Sequence, residues 1–497
     1  MFGTRADRAA LGVPAHEVPS GVAAIRRPLS LTVLAASLAV GAALRLWLAF
    51  NDDGVFWPDE IYQSLEPAHR AVFGYGLLAW EFIDGARNWT FPGLIAGILK
   101  LATLAGIDSP RVYLKLVRIL FCVVGMGTVL AIFRFARAYG AGRVAASCGC
   151  ACFSLMSIAI YFAPRAMSET AAALAVTAGL ALSLPRDASR FRFLLGASIL
   201  SLAVLLRLQC ALFCIGLLGV LLLHRARRPL VDALIVFAFA AFVFGLIDRL
   251  TWGHWFHSAI AYLRFNLLEG GAEGFGRSPP SYYTRALLAT LGPLWVVIAV
   301  FAVLAVVRAK ELFGIALLFF IPHWLSPHKE LRFLFPLIPL WCVLAAVGLQ
   351  IVMDSNARWL RAGAPALVLS AAAYSAGTLR QLTFHKLGLS DPHRVSAFDS
   401  GGPENRLLLA AHDAADLCGL KILTQDLDYL GGYAYLHRRA PLYGPAGPAD
   451  RSRFFNYVIA ARGSVGGRVL SEDSGLVLVR IFDGGCEPDR SYNWHLN

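Results

Sequence analysis

The chain of 497 residues is 57% apolar and 15% charged, with a mean hydropathy of +0.60, which excludes an ordinary pair of water-soluble domains. Its net charge of +13 would suit nucleic acid, but the basic residues fall in short clusters between apolar runs and so report membrane topology. No nucleic-acid partner is expected.

Residues 1–28 carry Arg5, Arg8, Arg26 and Arg27, so the positive-inside rule makes them a cytoplasmic N-terminal segment. The apolar run 29–50 has no small-residue cleavage site behind it and is expected to remain as an anchor. A polar outer loop, 51–112, follows. Within it, 91–107 is apolar but interrupted by Lys100, and is either a span or a helix lying on the membrane surface. Parity of the later turns selects the second reading. Spans such as 113–133, 145–164, 286–307 and 333–353 then leave every short inside turn basic: Arg134, Arg137 and Arg143; Arg186, Arg190 and Arg192; Arg225, Arg227 and Arg228; Arg308 and Lys310; Arg358 and Arg361. The expected fold is an all-α polytopic membrane protein with about eleven transmembrane helices over 29–379.

Beyond 380 the apolar runs shorten to strand length, at 421–424, 457–460 and 476–481, between Gly, Pro and Asp. A small exported α/β domain, 380–497, is expected. Cys418 and Cys486 lie in it, and a disulfide between them is open if the tail is exported. Cys148, Cys150 and Cys152 sit inside an uncharged span without polar support for a metal, and are expected to pack.

This threading gathers the unusual polar residues on the outer side. The first loop opens with Asn51-Asp52-Asp53 and Trp57-Pro58-Asp59-Glu60. Transfer of a sugar to a hydroxyl needs one carboxylate to take the acceptor proton. Asp59 is the first candidate, with Glu60 beside it; spacing alone also allows Asp59 to be a helix cap. The second cluster, His328-Lys329-Glu330-Leu331-Arg332-Phe333, puts four ionisable residues between apolar runs. Such charges at a bilayer boundary are expected to pair or to surround an anion, for which a lipid phosphate is the natural candidate. Arg165 and Arg207 add cations at outward helix ends, where snorkelling is the alternative use. A third segment, from Trp252-Gly253 to Phe265-Asn266, suits either sugar faces or an interfacial belt.

Taken in this order, these clusters resemble the mannosyltransferases that build GPI anchors and the lipid-linked oligosaccharide, a branch of the GT-C glycosyltransferases. Pro58-Asp59-Glu60-Ile61-Tyr62-Gln63 with Glu66, then Phe73-Gly74-Tyr75-Gly76 and Trp80-Glu81-Phe82, is similar to that family's first outer loop, with Ala79 where the family often has Thr. His328 to Phe333, followed by Pro336 and Pro339, matches its H-K-E-x-R-F signature. Phe265-Asn266 resembles its F-N pair, and Trp252 replaces a Tyr. The likeness covers about residues 50–345.

The resemblance implies a GT-C fold and an inverting transfer of a hexose, mannose by preference, from a polyprenyl (dolichyl) phosphate to a lipid-linked or glycan acceptor at the non-cytoplasmic face. It assigns Asp59 or Glu60 as the base. His328, Lys329, Glu330 and Arg332 fall at the donor phosphate, with Arg207, Arg165, Trp80, Glu81 and Asn266 as further substrate contacts. These cations make an obligatory metal unnecessary, although Asp52 and Asp53 leave a divalent ion open. Another sugar or aminosugar on an undecaprenyl-type donor is the main alternative. A lipid or sugar transporter is a weaker one, since no matching halves are visible. The arginine bias and Ala-rich spans point to a bacterial inner membrane with a periplasmic site; in a eukaryote the same topology gives an endoplasmic-reticulum membrane and a luminal site.

Overall fold

A computed structural model describes residues 20–389, 395–449 and 452–496. It is mainly helical. Ser30–Asn51, Pro110–Ala138 and Arg227–Trp252 are long and apolar enough to cross a membrane unaided, and Tyr282–Leu291 with Pro293–Leu304 forms a pair bent by 120°. The remaining apolar stretches are shorter helices, including Ser168–Ser183, Arg190–Leu206, Ala211–Leu223, Val306–Leu325, Ile338–Met353 and Arg358–Gly377. The chain is an integral membrane protein.

Small residues let these helices touch. A Cβ on Gly179 would come within 2.9 Å of the Gly196 carbonyl, and one on Gly196 within 2.7 Å of the Gly179 carbonyl, so Ser168–Ser183 and Arg190–Leu206 meet backbone to backbone. The helix Arg143–Ser154 breaks before Ser157–Tyr161, leaving end carbonyls unpaired. Fully buried Arg45 repairs this, donating to Ser154 O at 2.7 Å and Phe153 O at 3.3 Å. Cys148, Cys150 and Cys152 are buried free thiols in that helix.

The ambiguous loop segment is the helix Thr90–Leu104, which buries Phe91, Ile95, Leu99 and Ala102 at helical spacing. Its other side exposes Leu94, Leu101 and Leu104, where a helix facing water would carry charges.

Among the described residues the C-terminal region has five strands: β1 (Leu420–Ile422), β2 (Leu442–Tyr443), β3 (Tyr457–Ala461), β4 (Arg468–Asp473) and β5 (Leu476–Arg480). Their order is β2-β1-β3-β5-β4, with β1 parallel to β2 and β3, and β5 antiparallel to β3 and β4. The strands expected from sequence are β1, β3 and β5. β4 went unread because Arg468, Ser471, Glu472 and Asp473 make it a polar edge, and a bulge between Val469 and Ser471 breaks its alternation. Cys418 and Cys486 form a disulfide.

This region shares one core with the first loop, in which Tyr62, Leu77, Phe91 and Tyr113 pack with Leu408, Tyr433, Leu436 and Leu478. Buried Glu66 ties the two together, accepting from the backbone N–H groups of Leu77, Tyr433 and Ala434. His69 Nδ1–H donates to Tyr75 O at 3.0 Å, which leaves Nε2 to accept from His437 Nδ1–H at 2.9 Å. That arrangement needs the His69 ring neutral, since a protonated Nε2 could no longer accept.

Burial, and then the facing ring, holds His69 down to about 3; burial, then His412, holds His437 down to about 4. Unfolded imidazoles protonate near 6.5, so the stability gained by this pair is whole above that pH and is lost as pH falls toward 4. Glu66, which burial pushes from 4.5 up to about 7, titrates in the opposite sense over a window that overlaps the upper part of this one. Replacing His69 by Gln isolates the histidine contribution: the melting temperature of His69→Gln should fall less steeply than wild type between pH 6.5 and 4.5. Parallel curves for the two proteins would refute the coupling.

Candidate active site

The site begins where the loop turns into helix. Trp57 is extended (φ −155°, ψ 153°), and Pro58 occupies the first helical turn, where its missing N–H costs nothing. Pro58–Glu60 continues through a widened turn, Ile61–Leu65, into Glu66–Phe73, which ends on Gly74 at φ 84°. Neighbouring residues on a helix point about 100° apart, so Asp59 and Glu60 cannot share a face.

They do not. Asp59 lines a cavity of about 760 Å³, walled also by Gln63, Trp80, Glu81, Arg87 and Arg207, and by His328, Glu330 and Arg332. Glu60 turns to a different cation: Arg165 binds its Oε2 at 3.1 Å, binds Asp52 Oδ2 at 2.9 Å and donates to the Gly54 carbonyl at 3.0 Å. Asp53 pairs with Arg118 at 2.8 Å. Glu60, Asp52 and Arg165 are all buried. They brace the loop that carries Asp59, and Arg165 and Glu60 are not among the residues lining the cavity.

The cavity's charge centre is Arg332, only 3% exposed. Its Nε reaches Glu330 Oε2 at 2.6 Å, Nη2 reaches Glu330 Oε1 at 3.0 Å and Asp59 Oδ2 at 2.6 Å, and Nη1 lies 3.4 Å from Glu169 Oε1. Glu169 also takes Arg207 Nη1 at 2.9 Å, and His328 Nε2 lies 3.0 Å from Glu330 Oε1. A planar guanidinium serves several carboxylates at fixed angles as an ammonium cannot. Asp59, with 22% of its side chain exposed, is the open end of this chain; its Oδ1 accepts no hydrogen bond among the described residues.

The other expected residues fall around this centre. Trp80 stacks on Phe265 with ring centroids 4.5 Å apart, and Asn266, held through its Nδ2 by Tyr262 O at 2.8 Å, lines the same cavity. Glu81 accepts from Gln63 at 2.7 Å. Lys329 departs from the expectation of a phosphate contact: its ammonium sits on the carbonyls of Ser278 and Ser326, and it is not among the lining residues. Alternate residues of this extended segment point opposite ways, so facing Glu330 inward turns Lys329 out.

Sequence reasoning missed Arg87, Glu169 and Tyr262 as lining residues, and also Asp428 and Tyr429 from the C-terminal region. Glu169 alone gave a signal, as a carboxylate inside an apolar run. Among the described residues no group of three or more His, Cys, Asp or Glu is placed to hold a metal. Asp52 and Asp53 are taken up by Arg165 and Arg118.

The sequence pattern of the Alg9-like mannosyltransferase family matches residues 37–386, a span that holds every element of the charge network. The chain belongs to this family. Among its relatives, GPI mannosyltransferase 3 of Yarrowia lipolytica is 32% identical over 335 residues, covering 65% of this chain and 64% of that protein. Mannosyltransferase APTG1 of Arabidopsis thaliana is 29% identical over 299 residues, covering 57% and 53%. Human GPI alpha-1,2-mannosyltransferase 3 is 26% identical over 318 residues, covering 62% and 56%. The chain thus spans less than two thirds of the length of these relatives, all of which are eukaryotic.

The family's GT-C fold recurs in solved structures. Apo ArnT from Cupriavidus metallidurans aligns with a TM-score of 0.55 at 15% identity, over 92% of this chain and 100% of that one. ArnT bound to undecaprenyl phosphate aligns at 0.52 and 14% identity, over 95% and 100%. The Archaeoglobus fulgidus oligosaccharyltransferase aligns at 0.51 and 13%, over 87% and 69%. At these identities the likeness is one of fold.

Proposed function

We propose that the protein is an inverting mannosyltransferase that moves mannose from a polyprenyl-phosphate donor to a hydroxyl of a lipid-linked or glycan acceptor. The carrying observation is Asp59, whose Oδ2 lies 2.6 Å from Arg332 Nη2 while its other oxygen is open to the cavity. In the transfer, the acceptor oxygen bonds to the anomeric carbon, the bond from that carbon to the phosphate oxygen breaks, and the acceptor proton passes to Asp59. Charge leaves on the prenyl phosphate. Cavity arginines stabilise it, so no divalent ion is required. Glu60, bound to Arg165, takes a bracing role.

The cavity is assigned to the non-cytoplasmic face: the periplasmic side of a bacterial inner membrane, or the lumen in a eukaryote. Basic inside turns support this, as does the Cys418–Cys486 disulfide in a region that shares its core with the loop bearing Asp59.

Purified protein supplied with dolichyl-phosphate-mannose, undecaprenyl-phosphate-mannose and an aminosugar analogue, together with a lipid-glycan acceptor extract, tests the reading. Mannose transfer with anomeric inversion is expected, and it should survive EDTA with less than a twofold change. Turnover of the aminosugar donor alone would replace mannose with that alternative. Loss of activity in EDTA restored by Mg²⁺ or Mn²⁺ would overturn the metal-free mechanism.

A further inference from the structure

Three arginines line the cavity, and their pairing sets them apart. Arg332 is engaged by Asp59, Glu330 and Glu169. Arg207 gives Nη1 to Glu169 and leaves its Nε buried without a partner. The Arg87 guanidinium makes no ion pair or hydrogen bond among the described residues; only its backbone carbonyl is engaged, accepting from Trp252 Nε1–H at 3.0 Å. The Arg87 Nε is likewise buried and bare, and its nearest recorded neighbour is the Tyr262 ring, 5.6 Å from Cζ. A guanidinium stays charged at any working pH, and a buried donor left unpaired is costly, so both side chains are poised for an anion.

Where they point is specific. Arg87 and Arg207 line a narrow arm of about 50 Å³ that also carries Asn88, Ser168 and Gln209, with Glu169 and Arg332, already paired to each other, on its wall. Asp59 lines both the arm and the main cavity. Behind the arm lies an apolar groove of about 230 Å³ between Arg190–Leu206, Ala211–Leu223 and Arg227–Trp252. Val204, Leu205, Leu208, Phe244 and Ala259 wall both spaces, so the charged arm and the apolar groove are adjacent across these side chains. On the same long helix Ile235, Phe239 and Phe242 are exposed, as on a lipid-facing surface.

We propose that the donor phosphate seats in this arm, on the free donors of Arg87 and Arg207, while the first isoprene units lie in the groove. The proposal rests on the prenyl-phosphate donor inferred above and deepens it: the H-K-E-x-R-F segment holds the base, and a different pair of arginines holds the phosphate. An anion in the arm with its tail in the groove directs the attached sugar toward Asp59. Arg87 makes no direct ion pair, although its charge acts on buried Glu81 and Glu169, so an unchanged melting temperature in Arg87→Gln is the readout that separates binding from a structural role.

Binding of dolichyl phosphate, dolichol and inorganic phosphate is measured on purified protein in nanodiscs, for wild type, Arg87→Gln, Arg87→Lys and Ala240→Trp, each with its melting temperature. Ala240 lines the groove, so Trp there should fill it. Wild type is expected to bind dolichyl phosphate more tightly than either fragment. Arg87→Gln should weaken it about tenfold to a hundredfold at an unchanged melting temperature, with Lys restoring part. Ala240→Trp should weaken dolichyl phosphate while leaving inorganic phosphate unaffected.

Undiminished binding in Arg87→Gln overturns the arm as phosphate site, and undiminished binding in Ala240→Trp overturns the groove. Inorganic phosphate bound as tightly as the lipid overturns the lipid assignment. If wild type does not bind dolichyl phosphate, the donor reading fails instead.

Discussion

Replacing Asp59 with Asn is expected to lower kcat about 10²–10⁴-fold, the range for losing a positioned general base, with the donor KM little changed. The fold should tolerate the change. Arg332 keeps Glu330 at 2.6 Å and Glu169 at 3.4 Å, and an Asn carbonyl can still receive Nη2. The matching control is Glu60→Gln. Glu60 pairs with Arg165 and accepts from the Phe56 N–H at 2.9 Å, so this variant should lose melting temperature and retain turnover in the folded fraction. Reversal of the two phenotypes would make Glu60 the base and Asp59 a strut.

Arg332→Met is expected to remove both activity and stability. Asp59, Glu330 and Glu169 would be left with Arg207 as the one remaining arginine in direct ion-pair contact with any of them, and Glu330 and Glu169 are 4% and 2% exposed. Stranding buried charge in this way costs about 3–5 kcal/mol. Arg332→Lys should recover only part of it, because a point ammonium cannot span three carboxylates. The double variant Arg332→Met/Glu169→Gln removes one stranded charge and should unfold at a higher temperature than Arg332→Met alone. If the second change brings no gain, the network is not what holds this centre together.

The sequence announces what sits where solvent or lipid makes it costly. Apolar runs, basic turns, and the carboxylates and cations at helix ends are legible because each violates or obeys a burial rule on its own. Asp59, Arg332 and Arg207 were found in this way. Direction was not legible. Whether Glu60 faces Asp59's cavity or Arg165 turns on a 100° step in a helix whose next turn, Ile61–Leu65, is widened, and no residue pattern marks that turn. Lys329 is a similar case, placed by the alternation of an extended segment and held by the carbonyls of Ser278 and Ser326. Arg87 was missed because an arginine in a polar loop is ordinary by composition; only its lack of partners within a folded wall makes it unusual. In the C-terminal region, β4 escaped notice as a charged edge, and Asp428 and Tyr429 gave no hint that they reach a cavity begun by Trp57.

The shared core of the first loop and the C-terminal sheet bears on how the enzyme matures. Glu66 receives hydrogen bonds from Tyr433 and Ala434, partners 367 and 368 positions downstream. A loop delivered early in synthesis therefore waits, unfinished, through the insertion of nearly every later span. The entropic penalty for so distant a closure grows only as the logarithm of the intervening length, so the delay is one of timing more than of energy. Until it ends, half of a greasy interior stands open at the membrane surface, where quality-control machinery can reach a chain that stalls.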